Sequence, residues 1–387
     1  MNKILWLASW FPNQNDPYTG DFIERHAQAT SLFIPVEVLN CYNLKSNFKL
    51  NLFSRSDDFQ DLKINSKSYS SVLFSIPILG SLFSFSYSLW VYYFSVNEWI
   101  KVNGKPQFIH VHVSMRCGIV ALIFKKIKGI DFIVTEHFAG YLTEASRFGY
   151  HLNFLHKIFL KIILKNAITV TTVSNYAANS LNKIVKREYN TIYNVVDEAV
   201  FNININVAEN KPFTFIHIST LTKQKNIDTI LNAITLLVNK KIDFNFKIIG
   251  PNSKDVCDFI NSNQLAEIVS YFSEMPSSEL ANQIKNSDCL ILYSNFESFG
   301  CVNIEALACG KPLIVSNLEV FKEYIVENIQ GYYGQKNSPD DLCNKMEKMI
   351  LNHHHFNPKV LSEYALSNFS YSKVGEQFFK LYNSLKN

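Results

Sequence analysis

Short apolar runs alternate with stretches of helical period through both halves of this chain, and no other feature of the sequence narrows its folding options as much. KILWLAS, PVEVLNC, FIHVHV, DFIVTEH and ITVTTVS fall in the first half; FTFIHIS, NFKIIG, DCLILYS and KPLIVSN fall in the second. Runs of this length and composition read as buried strands, and strands separated by helices pair in parallel with helices covering the sheet. Between the halves, Asp197 to Pro212 (DEAVFNININVAENKP) loses periodicity and fills with Asn, which places a linker there with its seam near residue 205. Length gives the same answer, because 387 residues exceed what one hydrophobic core usually supports. The expected fold class is α/β, with two doubly wound Rossmann-like domains, 1–204 and 205–369, facing a central cleft. Ligands of such sheets sit beyond the carboxyl ends of the strands, so function should gather at strand-to-helix turns.

Charge and cysteine usage exclude several classes. A net charge of +4 without a run of Lys or Arg does not track a phosphate backbone, so no nucleic-acid partner is expected. The seven cysteines are scattered, odd in number and without a C-x-x-C pair, which fits buried thiols in a reducing compartment and a cytoplasmic location. The start, MNKILWLASWF, lacks the small-residue cleavage site of a signal peptide and reads as a first strand. From Ser68 to Asn97 no residue is charged, but serines, Pro77 and Gly80 interrupt the run, so a buried or membrane-apposed segment is expected rather than a spanning helix.

The stretch NFESFGCVNIEALACGKPLIV, Asn295 to Val315, carries two carboxylates, Glu297 and Glu305, among apolar and small residues. The strand before it ends at Ser294, and a helix is expected from about Val302 to Cys309, stopped by Gly310 and Pro312. Its tip, Glu297 to Cys301, contains a Gly that lets backbone approach a ligand, and the free N–H groups beyond it favour an anion such as phosphate. Glu305, one turn into the helix, is placed to accept hydrogen bonds from a ribose-like diol, while Glu297 faces the cleft from the loop. The simpler alternative is that one Glu caps the helix and the other is solvated. Elsewhere, Ser338-Pro339 signals a helix start, as does Ser277 or Ser278 ahead of Glu279.

The run Phe296-Glu297-Ser298-Phe299-Gly300, followed by Glu305-Ala306-Leu307-Ala308-Cys309-Gly310-Lys311-Pro312, resembles the signature of the family 4 retaining glycosyltransferases (glycosyl transferases group 1), two-domain enzymes of the GT-B fold. The resemblance implies that Glu297 contacts the transferred hexose, that the loop amides of Phe299, Gly300, Cys301 and Val302 hold the hexose and the diphosphate, and that Glu305 binds the nucleotide ribose. After FTFIHIS, the family's turn carries an Arg and, five positions on, a Lys that neutralise the donor diphosphate. Lys225 matches the Lys, but Thr220 stands at the Arg position, which puts donor affinity or donor identity in question. Ser9-Trp10-Phe11-Pro12 and Asp16-Pro17-Tyr18-Thr19-Gly20 resemble the family's first-strand loop, whose Gly lies near the donor phosphate, so Gly20 is a candidate. Thr135-Glu136-His137 resembles the position where the family keeps a His beside the reacting sugar and the acceptor. His110 and His112 resemble its His-x-His strand and receive no role. Phe369-Ser370-Tyr371 opens a last helix, 370–387, that by resemblance crosses back onto the amino-terminal, acceptor-binding domain; 205–369 would then bind the donor.

The expected function is a retaining glycosyltransferase that moves a hexose from a nucleotide-diphosphate sugar, UDP- or GDP-linked, to a glycan or lipid-linked acceptor in cell-surface polysaccharide synthesis. Glu297 would orient the hexose and His137 would lie near its 6-hydroxyl or the acceptor. The sequence has no Asp-x-Asp and no His/Cys cluster at ligand spacing, so neither a metal nor a cofactor is expected. Leu155 to Lys165 places lysines at four-residue spacing among apolar residues, which fits either peripheral contact with an anionic membrane at the inner face of the cell membrane or an ordinary surface helix. Thr220 leaves open a non-catalytic sugar-nucleotide or glycan-binding subunit of an assembly complex, and the fold alone would admit a sugar-nucleotide epimerase, for which the Phe-Gly and Glu-Ala-Leu-Ala-Cys-Gly context speaks poorly.

Overall fold

The computed structural model describes residues 3–44, 58–59, 61–70, 79–150, 152–203 and 212–385. Residues 204–211 of the expected linker and 71–78 of the uncharged run lie outside the described residues. The chain divides into two compact units, the first made of Met1–Tyr141, His151–Val195 and Tyr371–Asn387, the second of Leu142–Tyr150 and Val196–Ser370.

The first unit holds strands β1 (Ile4–Ala8), β2 (Val36–Leu44), β3 (Asp58–Phe59), β4 (Leu62–Ser70), β5 (Phe108–His112), β6 (Phe132–Glu136), β7 (Val170–Thr172) and β8 (Asn190–Thr191). They form one sheet in the order β3-β4-β2-β1-β5-β6-β7-β8, parallel throughout except for the short β3 at its edge. β1, β5 and β6 are buried along their whole length, as expected of strands with helices on both faces. On one face pack helices α2 (Leu79–Asn103), α3 (Cys117–Lys128) and α4 (Phe154–Asn166), through Tyr92, Phe124 and Leu160 among others; α1 (Asp21–Ser31) covers the other, and α5 (Asn175–Ile184) follows β7. Each such fully buried large apolar side chain contributes about 1.5–3 kcal/mol relative to exposure. Among the described residues no helix is long and apolar enough to cross a membrane.

The second unit has strands β9 (Phe213–Ile218), β10 (Phe244–Ile249), β11 (Val269–Phe272), β12 (Cys289–Leu292), β13 (Leu313–Ser316) and β14 (Gly331–Gly334), all parallel, in the order β11-β10-β9-β12-β13-β14. Its helices are α6 (Ile227–Asn239), α7 (Lys254–Ser262), α8 (Ser277–Lys285), α9 (Cys301–Ala308), α10 (Pro339–Asn352) and α11 (Pro358–Phe369). Ser338 caps α10 through its side chain, with Pro339 in the first turn, as its sequence signals. At α8 the expectation fails: Pro276 holds the cap position and Ser277 is already helical, because proline's fixed φ suits the entry to a helix without a side-chain cap. α12 (Tyr371–Ser384) belongs to the first unit and packs on α1, with Tyr371 Oη donating to Gln28 Oε1 at 2.6 Å. No disulfide joins any of the seven cysteines, five of which are buried.

Both sheets are doubly wound. In the first, the chain runs outward from β1 to β2 and β4, then returns to β5 on the other side of β1; in the second it runs from β9 to β10 and β11, then returns to β12 beside β9. The loops after β1 and β5, and those after β9 and β12, therefore flank a topological switch point, where open α/β sheets take their ligands. Backbone strain collects at these places. Val113, just after β5, and Leu221, just after β9, have φ of 67° and 52°, which costs a side chain with Cβ energy that the surrounding structure must offset.

Candidate functional site

In the second unit, the loop between β12 and α9 and the turn after β9 are stitched together. Asn295 donates its backbone N–H to the Gln224 carbonyl at 2.8 Å and its side-chain amide to the Lys223 carbonyl at 2.8 Å. Gln224 returns its side-chain amide to the Phe296 carbonyl at 3.1 Å, and Asn226 reaches the Tyr293 carbonyl at 3.3 Å. This clamp sets Lys225 against Glu297, with Nζ to Oε1 at 2.5 Å. Ser294 Oγ donates to the same carboxylate oxygen at 2.7 Å, and Gln224 Nε2 lies 3.4 Å from the other. Glu297 is almost fully buried, 5% exposed, whereas Lys225 keeps 18% of its side chain open to solvent. A buried carboxylate is tolerated only when paired and hydrogen-bonded, and here both conditions hold.

Gly300 makes the turn from the loop into α9. Its φ of 91° belongs to the left-handed region, and a Cβ there would stand 2.9 Å from the Phe321 ring. α9 starts one residue earlier than expected, at Cys301, so Glu305 lies one turn inside it, buried. The helix opens with N–H groups directed past Gly300, Cys301 and Val302, the last two half-buried. Phe299 is fully buried and its ring stacks on Tyr324 at 4.9 Å, so only its backbone is available to a ligand; its carbonyl already accepts from Tyr324 Oη at 2.6 Å. The simpler alternative for the two glutamates, a cap and a solvated side chain, is overturned, since both are buried and neither caps α9.

Thr220 is exposed beside Leu221 and Ser219 at the end of β9. Beneath it, His217 is held in one tautomer: Nδ1 donates to the Ile291 carbonyl at 2.8 Å, and Nε2 faces Ser219 Oγ at 2.8 Å, which itself accepts from the Leu221 N–H. Burial first, with the nearby Lys225 adding to it, lowers the His217 imidazole to about 4, so it is neutral near pH 7. Next to the same turn, a cavity of about 270 Å³ is lined by Phe148, Gly149, Tyr150, Thr222, Lys223 and Gln224, and the rings of Phe148 and Tyr150 lie 5.3 and 5.6 Å from Phe296.

The first unit carries the other candidates. Gly20, at φ 70°, opens α1 where a Cβ would stand 2.7 Å from the Trp10 backbone, so this helix start is pressed against the loop after β1. His137 follows β6 and is held by Glu136, whose buried carboxylate accepts N–H groups of Ser114, His137 and Phe138, each at 3.0 Å. Burial raises the Glu136 carboxyl above its usual value, against these hydrogen bonds. His137 Nε2 lies 3.2 Å from His112 Nδ1, and its ring packs on Phe22 at 4.9 Å. Burial, then the neighbouring His26 and His110, holds the His137 imidazole well below the ordinary range.

His26, His112 and His137, from α1, the end of β5 and the end of β6, each present a ring nitrogen within 4.8 Å of the other two; among the described residues this is the group that could hold a metal ion. Sequence spacing gave no sign of it, because the three lie far apart in the chain. His26 Nε2 donates to the Tyr193 carbonyl at 2.9 Å, and Trp6 stacks on His112 at 4.0 Å. His110, the other member of the His-x-His strand, is occupied by Tyr382 of α12 at 2.6 Å and Thr135 at 2.7 Å, which is a structural role. The sequence assigns no role to Gln224, Ser294, His217 or Glu136. Gln224 adjoins Lys225, Ser294 lies three residues before Glu297 and Glu136 adjoins His137, but the contacts that give them meaning, such as Gln224 to Phe296 and Ser114 to Glu136, are set by the fold.

A family model for glycosyl transferases group 1 matches residues 201–366, and one for glycosyltransferase family 4 matches residues 53–200. An uncharacterized glycosyltransferase of Methanocaldococcus jannaschii is 27% identical over 284 residues, 73% of this chain and 75% of that protein. The capsular polysaccharide biosynthesis glycosyltransferase CapM of Staphylococcus aureus is 23% identical over 196 residues, 49% of each chain. Sucrose-phosphate synthase from Thermosynechococcus elongatus shares the fold with a TM-score of 0.80 over 99% of both chains at 15% identity. Anabaena HepE, solved in complex with UDP and glucose, does so with a TM-score of 0.72 over 99% of this chain and 100% of that one, also at 15% identity.

Proposed function

This chain belongs to family 4 of the glycosyltransferases and has the GT-B architecture of two Rossmann-like domains, and from that premise we propose that it is a retaining, metal-independent hexosyltransferase of cell-surface polysaccharide synthesis. The observation that carries the reading is the Lys225–Glu297 pair, set at the switch point of the second unit on the loop that leads into Glu305. The donor is a nucleotide-diphosphate hexose, UDP- or GDP-linked; the UDP and glucose bound by HepE support this choice. Lys225 and the N–H groups at the start of α9 neutralise the diphosphate as it leaves, and Glu305 holds the ribose. Glu297 orients the hexose by accepting its hydroxyls, which replace Lys225 as partners of the buried carboxylate. In the first unit, neutral His137, positioned by Glu136, offers a hydrogen bond to a sugar or acceptor hydroxyl, and Gly20 is the glycine of the first-strand loop that the family resemblance assigns to phosphate binding.

The acceptor is a glycan or lipid-linked sugar, a reading supported by the capsular-polysaccharide role in the name of CapM. Such an acceptor places the enzyme in the cytoplasm, peripheral at the inner face of the cell membrane. Metal independence rests on the lack of an Asp-x-Asp in the sequence and on charge neutralisation by Lys225. The test is turnover of a hexose donor with acceptor glycans in excess EDTA, with the anomeric coupling of the product read by proton NMR. Product with the donor's configuration supports the proposal; inversion, or a requirement for added metal, overturns it. Thr220 favours one second reading, a non-catalytic donor-binding subunit, which predicts binding without any turnover.

A further inference from the structure

Nine of the sixteen large hydrophobic side chains left exposed on the described residues belong to three helices, α2, α3 and α4, which pack side by side on one face of the first sheet. Their inward sides are spent on that core, so what remains exposed points outward from the sheet. On α2, Trp90 is 53% and Phe94 40% exposed, and Tyr87, Trp90 and Phe94 stack in a ladder with ring centroids 5.9 and 5.6 Å apart. On α4, Phe154 and Leu155 are 76% and 60% exposed, and α3 between them shows Ile127. Isolated exposed apolar residues need no explanation, but clustering on adjacent helices does.

The charge on the same helices is as uneven. They carry seven lysines and a single acidic residue, Glu98, an excess of six positive charges on a chain whose total is +4. Glu98 is itself within 3.5 Å of Lys67. Lys157, Lys161 and Lys165 follow one another around exposed Phe159 and Ile162 on α4, so apolar and cationic groups interleave. A protein partner or a second copy would want complementary acids or a shape-matched apolar patch. An anionic lipid surface wants this mixture: amphipathic aromatic rings at headgroup depth and lysines within a Debye length of the phosphates.

We propose that the outward face of α2, α3 and α4 is a docking surface for an anionic phospholipid bilayer, with Trp90 and Phe94 entering the interface and the α4 lysines holding the headgroups. This gives the membrane location proposed above a three-helix face, and the face itself is argued independently of donor, acceptor and anomeric outcome.

The test is co-sedimentation of the full chain with vesicles of phosphatidylcholine and phosphatidylglycerol at 3:1, against vesicles of phosphatidylcholine alone, at low salt and at 0.5 M NaCl. Binding is expected to the anionic vesicles only, to fall at high salt, and to weaken at least tenfold in Trp90→Ser/Phe94→Ser and in Lys157→Gln/Lys161→Gln/Lys165→Gln. Melting temperature and nucleotide binding serve as controls, and both are expected to stay near the parent values because neither set of residues enters the core or the donor loop. Absence of sedimentation by the parent protein, or equal sedimentation by both variants, overturns the proposal. So does a concentration-dependent dimer by light scattering that Trp90→Ser/Phe94→Ser dissociates, which would give the face to a second copy. If vesicle binding fails while hexose transfer to a soluble acceptor persists, only the docking surface falls.

Discussion

Lys225 Nζ lies 2.5 Å from Glu297 Oε1, so the cation proposed to meet a diphosphate and the carboxylate proposed to meet a sugar are ion-paired with each other. The pair keeps the buried Glu297 charge satisfied. It also means that donor binding exchanges one set of polar contacts for another rather than filling a bare charged pocket.

That exchange predicts coupled energetics. Lys225→Met should weaken binding of the nucleotide diphosphate at least tenfold, about 1.4 kcal/mol, and lower the melting temperature, because Glu297 keeps only Ser294 and Gln224. Glu297→Gln should leave nucleotide binding within a few-fold and reduce kcat by about 10²–10³, the range for loss of one preorganised polar contact at the reacting centre. Urea unfolding of both single variants and the double should give a coupling of about 1–3 kcal/mol. Additive effects would mean the two residues do not act as a pair.

Thr220→Arg is predicted to tighten diphosphate binding by about tenfold, since Thr220 is exposed at the end of β9 and a guanidinium there adds a bidentate, charge-assisted contact. Titration calorimetry reads it directly. An unchanged Kd would show that the lost arginine is already compensated.

Gly300→Ala should destabilise the second unit by about 1–3 kcal/mol, because φ is 91° and the added methyl would press on Phe321. Thermal unfolding measures the loss, and nucleotide binding should fall with it since the same turn aims the α9 amides. A stability equal to the parent would rule out this geometry for the turn.

Acid lability follows from the buried imidazole of His217. Its folded value, about 4, is below the ordinary 6.5, so between these values the unfolded chain binds a proton that the folded one refuses. The contribution of His217 to stability should be constant above about pH 7 and fall as pH drops from 6.5 toward 4, by up to about 1.4 kcal/mol per pH unit. The unfolding free energy of His217→Gln should have a slope shallower by that amount over the same window. Identical slopes would mean that His217 does not titrate on unfolding.

Several parts of the fold and of the candidate site are legible in the sequence for identifiable reasons. β5, β6, β9 and β12 are continuous apolar runs, and Glu297, Gly300 and Glu305 sit in one contiguous motif whose geometry is local. β4, LKINSKSYS, is too rich in Ser, Asn and Lys to read as a buried strand, although it pairs with β2 along nine residues; β14, GYYG, is too short and glycine-rich to read as one. His26 showed nothing, because a histidine inside an amphipathic helix gains meaning only when His112 and His137 arrive from strands far along the chain. The Lys225–Glu297 contact is equally hidden: the sequence points each residue at a ligand and not at the other.

Calorimetric titration of the purified chain with UDP, GDP, ADP and their hexose conjugates, with Glu305→Ala alongside, tests the proposed donor site. Saturable binding of one nucleotide and its sugar conjugate is expected at one site per chain, lost or weakened at least tenfold in Glu305→Ala, whose carboxylate would hold the ribose. Absence of binding by every nucleotide, or binding indifferent to Glu305→Ala, would contradict a donor site at the β12–α9 loop.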